Sequence, residues 1–337
     1  MGLMAGALAT AAGACAANRG APHDDVVDAR GGAPAVSFVA AFDLPAGDPR
    51  ARELSAIAWD EASRTLFAVS DALPRIVSLT PNATFDAWTF GTPISMTITD
   101  QWDGEGLALT QSAFFVANER GPHIYEVDRT GLLRGEVPVL PSFGSCVPNK
   151  CIESLTLSPD GLSLFYANES ALSVDGPQPT ASTGTTVRLV RHDRQSGEDV
   201  VWAYRTEPIF SAAGGGDMGV SDMVALSQTE LLVLERSYVP SHGVSARIFR
   251  VTLDAADAEG AKPFSACTSL KKTLLVDIAA LYLRSDRASW RMLQPNYEGM
   301  SLGPALPSGE RLLFLVSDDN ANPELPARVL TLRVTLR

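Results

Sequence analysis

One pattern recurs along this chain and limits what it can fold into. Glu105-Gly-Leu-Ala-Leu109 is followed by Phe114-Phe-Val-Ala-Asn-Glu119, and Glu153-Ser-Leu-Thr-Leu157 by Leu164-Phe-Tyr-Ala-Asn-Glu169. Asp222-Met-Val-Ala-Leu226 with Leu231-Leu-Val-Leu-Glu-Arg236 is a further copy, and Glu298-Gly-Met-Ser-Leu302 with Leu313-Phe-Leu-Val-Ser-Asp318 another. Ser55-Ala-Ile-Ala-Trp59 with Leu66-Phe-Ala-Val-Ser-Asp71 begins the series. Each copy reads as a strand, a polar turn (Ser158-Pro159-Asp160-Gly161 is the clearest) and a second strand. A third strand follows at Arg75 to Leu79, His123 to Asp128, Val187 to His192, Ala246 to Leu253 and Arg328 to Val334. Repeated antiparallel units of this size predict an all-β fold, a β-propeller in which each blade buries its faces against its neighbours. Five blades are visible, and residues 255 to 295, with the strand-like Leu274-Leu-Val-Asp-Ile278, leave room for a sixth, degenerate one. Val36 to Leu44 is expected as the outer strand of the last blade, closing the ring with the C-terminal Val329 to Leu336.

Composition agrees with that reading and removes several functions. With 27 Gly and 22 Pro among short apolar runs, long helices have little room. A net charge of −12 without a Lys/Arg run argues against a nucleic-acid or anionic-membrane partner, which needs clustered positive charge. Residues 1–17 carry no charge, are rich in Ala, Gly, Leu and Met, and read as an export segment too short for a comfortable membrane span. Ala12-Gly-Ala-Cys15 resembles the end of a lipoprotein signal, the alternative being an ordinary signal cleaved nearby. Residues 18–35 then form a flexible tether and 36–337 a single domain. The expected locations are the periplasm, the outer membrane through an N-terminal lipid, or the medium, and the protein is taken as a monomer.

Cys146 and Cys151 flank a Pro-Asn turn and are expected to form a local disulfide, which export would permit. Zinc is the rival reading, but Cys-x4-Cys without a second ligand pair is a poor zinc signal. Cys267 is left over.

Carboxylates at one position of successive inner strands converge on a propeller's axis. Glu105, Glu153, Asp222 and Glu298 form such a ring, with Ser55 the odd member and Glu53 two residues earlier, on the same face if the strand begins there. The far ends of the second strands offer Asp71, Glu119, Glu169 and Asp318, with Arg236 breaking the pattern. Crowded carboxylates repel, and a hard cation relieves this; calcium, with six to eight oxygen ligands, suits such a set better than zinc. The metal ligands expected are therefore Glu53, Glu105, Glu153, Asp222 and Glu298. The competing reading is that these acids accept backbone N–H bonds and pair with arginines between blades. Arg75, Arg120, His123, Lys150 and Arg236 lie just past strand ends that carry acids; Arg120, Arg236 and His123 are the residues expected to meet an anionic substrate.

The Glu-Gly-Leu/Met-x-Leu units, the strands ending in Asn-Glu or Ser-Asp, Gly219-Val-Ser-Asp222, Leu232-Val-Leu-Glu-Arg236, Asn296-Tyr-Glu-Gly299 and Ser317-Asp-Asp-Asn320 together resemble the bacterial "esterase-like activity of phytase" family. The resemblance covers residues 36–337. It implies a propeller, comparable to calcium-dependent alkaline phytases with an acidic face, and hydrolysis of phosphate esters or related esters; with the N-terminal segment, the leading expectation is an exported, calcium-dependent hydrolase of such esters. A non-catalytic propeller that binds a ligand or protein, and a calcium-dependent lactonase or arylesterase, are the alternatives. Gly299-Met-Ser-Leu-Gly303 matches the Gly-x-Ser-x-Gly elbow, but it lies within the repeat, so Ser301 reads as a strand residue rather than a nucleophile. With four His and no His-Glu-x-x-His, P-loop or dinucleotide glycine pattern, zinc proteolysis, nucleotide hydrolysis and hydride transfer drop out.

Overall fold

The computed structural model describes residues 35–211, 215–240, 242–259, 264–284, 295–322 and 324–336. The expected leader, Cys15 and the tether before residue 35 lie outside them. The first described strand is β1 (Val36–Asp43), after which the chain builds blade after blade. Blade 1 holds β2 (Leu54–Asp60), β3 (Thr65–Ser70), β4 (Arg75–Pro81) and β5 (Trp88–Phe90), with β6 (Ile94–Ser95) also on β4. Blade 2 is β7 (Gly104–Leu109), β8 (Ala113–Asn118), β9 (His123–Asp128) and β10 (Leu133–Val137). Blade 3 is β11 (Ile152–Leu157), β12 (Ser163–Asn168), β13 (Thr186–Asp193) and β14 (Asp199–Arg205). Blade 4 is β15 (Asp217–Ala225), β16 (Glu230–Val239), β17 (Gly243–Thr252) and β18 (Lys272–Asp277). Blade 5 is β19 (Asn296–Ala305), β20 (Arg311–Asp318) and β21 (Arg328–Val334), completed on its outer edge by β1.

The propeller is therefore five-bladed. The stretch that left room for a sixth blade instead supplies β18, the outer strand of blade 4, and the short helix α1 (Ile278–Arg284). The ring closes through the antiparallel pair of β1 and β21, Val36 opposite Val334 and Asp43 opposite Arg328.

The core lies between blades rather than within them. Second strands such as β8 and β12 are buried at every residue, because neighbouring blades cover both faces. At the seam of blades 5 and 1, Phe314 packs against Trp59 at 5.5 Å, Trp88 at 5.2 Å and Phe85 at 5.8 Å between ring centroids. Turn chemistry ends the strands where expected: Gly161 takes a φ of 73°, and Asp160 Oδ1 accepts from Ser158 Oγ and Leu162 N–H.

Five blades leave a narrow axis, so inner strands approach closely. A Cβ on Gly106 would sit 2.7 Å from Leu155 Cβ, and one on Gly299 would sit 2.9 Å from Ala56 Cα. Side chains also bridge the blades. Ser301 Oγ accepts from Trp59 N–H at 2.9 Å, Thr156 Oγ1 from Ala225 N–H at 3.3 Å, and the Asp222 carboxylate from Met300 N–H at 2.6 Å and Met223 N–H at 2.8 Å. Ser301 is thus held in a strand with its hydroxyl engaged.

Asp222, expected as a metal ligand, is instead a buried strut between blades 4 and 5. Asp222→Ala is expected to destabilise the protein by about 1–3 kcal/mol for each amide left unpaired, without altering cation affinity. The midpoint of urea unfolding reads the first effect and calorimetry the second.

Candidate functional site

Each innermost strand carries a β-bulge, and the five bulges coincide. Pairing slips between Leu54 and Ala56, Gly104 and Gly106, Ile152 and Ser154, Val220 and Asp222, and Tyr297 and Gly299. The residues passed over are Ser55, Glu105, Glu153, Ser221 and Glu298. A bulge leaves its extra residue out of the ladder and re-aims its side chain. The blade 4 member is accordingly Ser221, one residue before the Asp222 that the sequence motif selected.

Two residues before each bulge stand Glu53, Asp103, Cys151, Gly219 and Asn296. Opposite them, at the ends of the second strands, are Asp71, Glu119, Glu169, Arg236 and Asp318. Asp71 N–H bonds to Glu53 O at 3.0 Å, Glu119 N–H to Asp103 O at 2.8 Å and Glu169 N–H to Cys151 O at 2.8 Å, while Gly219 pairs with Arg236 and Asn296 with Asp318. Glycine is required at 219, since a Cβ there would lie 2.4 Å from Glu169 Cγ.

The bulged glutamates and several of these flanking residues enclose a funnel of about 260 Å³ at one end of the axis. Among the described residues seven carboxylates line it, Asp71, Asp103, Glu105, Glu153, Glu169, Glu298 and Asp318, against two cations, Lys150 and Arg236, a formal balance of −5. Arg236 is the hub: its guanidinium lies 3.1 Å from Glu169, 3.6 Å from Glu298 and 3.7 Å from Glu153, and donates to Asn296 Oδ1 at 3.3 Å. Burial pulls its pKa down, but Glu298, Glu169 and Glu153 outweigh that and hold it above the ordinary value. Lys150 pairs with Glu169 at 2.7 Å and with Asp217. Cys151, its neighbour, forms a disulfide with Cys146, and the Cys151 N–H donates to Glu119 Oε1, so this closed loop fixes the lysine at the mouth.

Two cations do not satisfy seven acids. Burial, then Asp318, Glu53 and Glu298, push the Asp71 carboxyl up to about 8. Burial raises Glu298 to about 8 in spite of Arg236, Glu119 to about 7 in spite of the Cys151 amide, and Asp318 to about 6. Glu105 and Glu153 are also driven well above the carboxylate range, by burial first and then by neighbouring acids. One corner is the most crowded: Asp71, Asp103 and Glu105 each place a carboxylate oxygen within 4.8 Å of the others. Asp71 Oδ1 and Asp318 Oδ1 are buried without a hydrogen-bond partner.

Of the residues expected at the site, Glu105, Glu153, Glu298 and Arg236 line the funnel. Glu53 does not: unlike Asp103 at the equivalent place it takes a left-handed φ of 50°, and its carboxylate lies 3.4 Å from Arg52. Arg120 is exposed and tied to Asp103 at 3.0 Å. His123 stacks on Tyr125 and pairs with Glu136 at 3.1 Å, apart from the funnel lining. Asp103, Asn149, Asn296 and Asn320 are lining residues that were not anticipated. Asp103 had a signal, since it occupies in blade 2 the place that Glu53 holds in blade 1.

A Lactobacillus plantarum protein is 17% identical, with a TM-score of 0.38 over 79% of this chain, which spans 64% of that protein's length. Myxococcus xanthus glutaminyl cyclase is 9% identical, with a TM-score of 0.44 over 90% of this chain and 100% of its own. Pseudomonas aeruginosa periplasmic gluconolactonase is 16% identical, with a TM-score of 0.36 over 84% and 87%. Likenesses this remote say nothing about chemistry. No curated protein matches the chain. The profile of one family, described as "Phytase-like: Esterase-like activity of phytase", matches residues 49–321, from before β2 to beyond β20. With all five acid-bearing hairpins inside that match, the chain belongs to the phytase-like family.

Proposed function

We propose that this protein hydrolyses esters, phosphate esters or related ones, with a calcium ion held in the acidic funnel. The observation that carries the reading is the convergence of Asp71, Asp103 and Glu105 beside buried carboxylate oxygens that have no partner. The donors fit: they are all oxygens, Asn296 and Asn320 add neutral ones, and no His or Cys lines the funnel among the described residues. Asp71, Asp103 and Glu105 would hold the ion; of the five ligands expected from the motif, this keeps Glu105 and leaves out Glu53, Glu153, Asp222 and Glu298. Bound there, calcium supplies Lewis-acid polarisation of an ester oxygen and favours deprotonation of water.

The chain's own groups supply the rest. Lys150 offers a donor to substrate oxygen at the mouth, and Arg236 sets the charge of the floor. Asp318 and Glu298, both raised by burial above the ordinary carboxylate range before any cation binds, can accept the proton that water gives up and return one to the leaving alcohol. Water thereby adds across the ester bond to give acid and alcohol. Export is part of the proposal, and the Cys146–Cys151 disulfide supports an oxidising compartment.

A panel of phosphate and carboxylate esters, assayed with calcium and again with chelator, tests the reading. The expected result is turnover that falls at least 100-fold on chelation and returns when calcium is restored. One observation favours a second reading, a binding propeller without catalysis: Arg236 already neutralises part of the acid cluster from within. Calcium binding by calorimetry without turnover of any ester would establish that alternative.

A further inference from the structure

Building on the proposed hydrolase, we infer that the ester this funnel accepts is neutral or at most singly charged, and carries an aliphatic or aryl group that rests on an apolar rim formed by Leu73, Val174, Tyr238 and Leu325.

Charge is the first argument. With every lining acid ionised, a dication added to the formal balance of −5 leaves the funnel negative. Its two cations are already engaged, Arg236 by Glu153, Glu169 and Glu298, and Lys150 by Glu169 and Asp217. Arg120, outside the lining, is bonded to Asp103. Among the described residues, no uncommitted cation therefore stands in this low-dielectric funnel to receive a polyanionic phosphate ester.

The rim is the second, independent argument. Six large apolar residues are strongly exposed among the described residues, and four of them are Leu73 at 52%, Val174 at 66%, Tyr238 at 46% and Leu325 at 46%. All four lie where the second strand of a blade turns toward its third, in blades 1, 3, 4 and 5. That is the end of the propeller at which the second strands deliver Asp71, Glu169, Arg236 and Asp318 to the funnel. Leu73 is two residues past Asp71. Tyr238 is two residues past Arg236 on β16, so the two share a strand face. Val174 follows Ser173, whose N–H and hydroxyl bond to Ser145 O in the segment leading to the disulfide loop. Leu325 N–H bonds to Asn322 O, in the loop that also brings Asn320 to the funnel. The remaining two, Leu132 and Leu162, lie in turns at the opposite end. Isolated exposed leucines need no explanation, but placement on four equivalent loops around one mouth does. Blade 2 supplies no apolar residue there and presents Arg120 and His123 instead, the segment where a single negative charge would be tolerated.

The test uses the calcium-loaded protein and two substrates sharing one leaving group, 4-nitrophenyl butyrate and 4-nitrophenyl phosphate. The butyrate is expected to show a kcat/KM at least tenfold above that of the phosphate, and raising the salt concentration should help only the phosphate. Because Val174 and Tyr238 are exposed, the V174S/Y238S variant should unfold at the parent's urea midpoint. Its KM for butyrate should rise about tenfold, lowering its preference for butyrate over acetate. A preference for the phosphate, or an unchanged ratio of butyrate to acetate in that variant, overturns the inference while leaving a hydrolase in place. If no ester is turned over, the hydrolase reading has failed and calorimetry decides this one. Binding of the unreactive 4-nitrobutyranilide but not of phenyl phosphate sustains it, and any other outcome ends it.

Discussion

Arg236→Met is expected to destabilise the protein by ~3–5 kcal/mol at pH 8, the cost of leaving buried charges without their partner, and by much less at pH 5. Methionine keeps most of the side chain's volume, so the loss is one of charge rather than packing. The guanidinium lowers the pKa of Glu298, Glu169 and Glu153, and without it those values rise further. A buried acid with a raised folded pKa favours the fold while both states hold the proton, below the unfolded value near 4.5, and costs stability as pH climbs toward the folded value. The penalty should therefore grow from pH 5 to pH 8. Urea unfolding at the two pH values reads it, provided the slope of the transition stays constant. Equal losses at both would mean that Arg236 matters for its packing and that the acids are neutralised by other means.

Calcium should act most strongly where the metal-free protein is weakest. In the absence of metal, Asp318 near 6, Glu119 near 7, and Asp71 and Glu298 near 8 all bind protons more tightly folded than unfolded. Stability is then greatest near pH 4 to 5 and falls through pH 8, by ~1.4 kcal/mol per pH unit for each net proton the folded state retains. A cation replaces those protons, so the rise in Tm that it produces should increase with pH, and binding should release protons to the buffer. At 100 times its Kd calcium contributes about 2.7 kcal/mol, on the order of 5 °C in Tm for a chain of this size. The D103N/E105Q variant should lose that rise while becoming more stable than the parent without metal at pH 8. If calcium stabilises parent and variant alike, the ion binds elsewhere.

The blades were legible because the hairpins at Glu105 and Glu153 are nearly the same sequence, and alternation carried that register to the other copies. The funnel was less so. In blade 4 the eye settles on Asp222 because it is acidic, yet the bulge falls at Ser221; apolar alternation resumes identically after either choice, so periodicity cannot distinguish them. Asp103 could have been found by reading down the column that Glu53 opens. Lys150 was legible as a cation just past an acid-bearing strand end, but Asn149 was not, since it reaches the site through a disulfide-closed loop whose path has no periodic signature. Glu53 failed for a local reason: a left-handed backbone just before β2 turns it off the strand face.

The coincident bulges separate inheritance of the scaffold from inheritance of its chemistry. Because Ser55, Glu105, Glu153, Ser221 and Glu298 stand outside the strand ladders, exchanging a serine for a glutamate there rewrites the charge at the axis and leaves every backbone pairing of the blade in register. Two chains could then share all five blades and still handle different molecules. Within such a family, five letters, read in blade order as Ser, Glu, Glu, Ser, Glu for this chain, would group members by activity more faithfully than overall sequence identity.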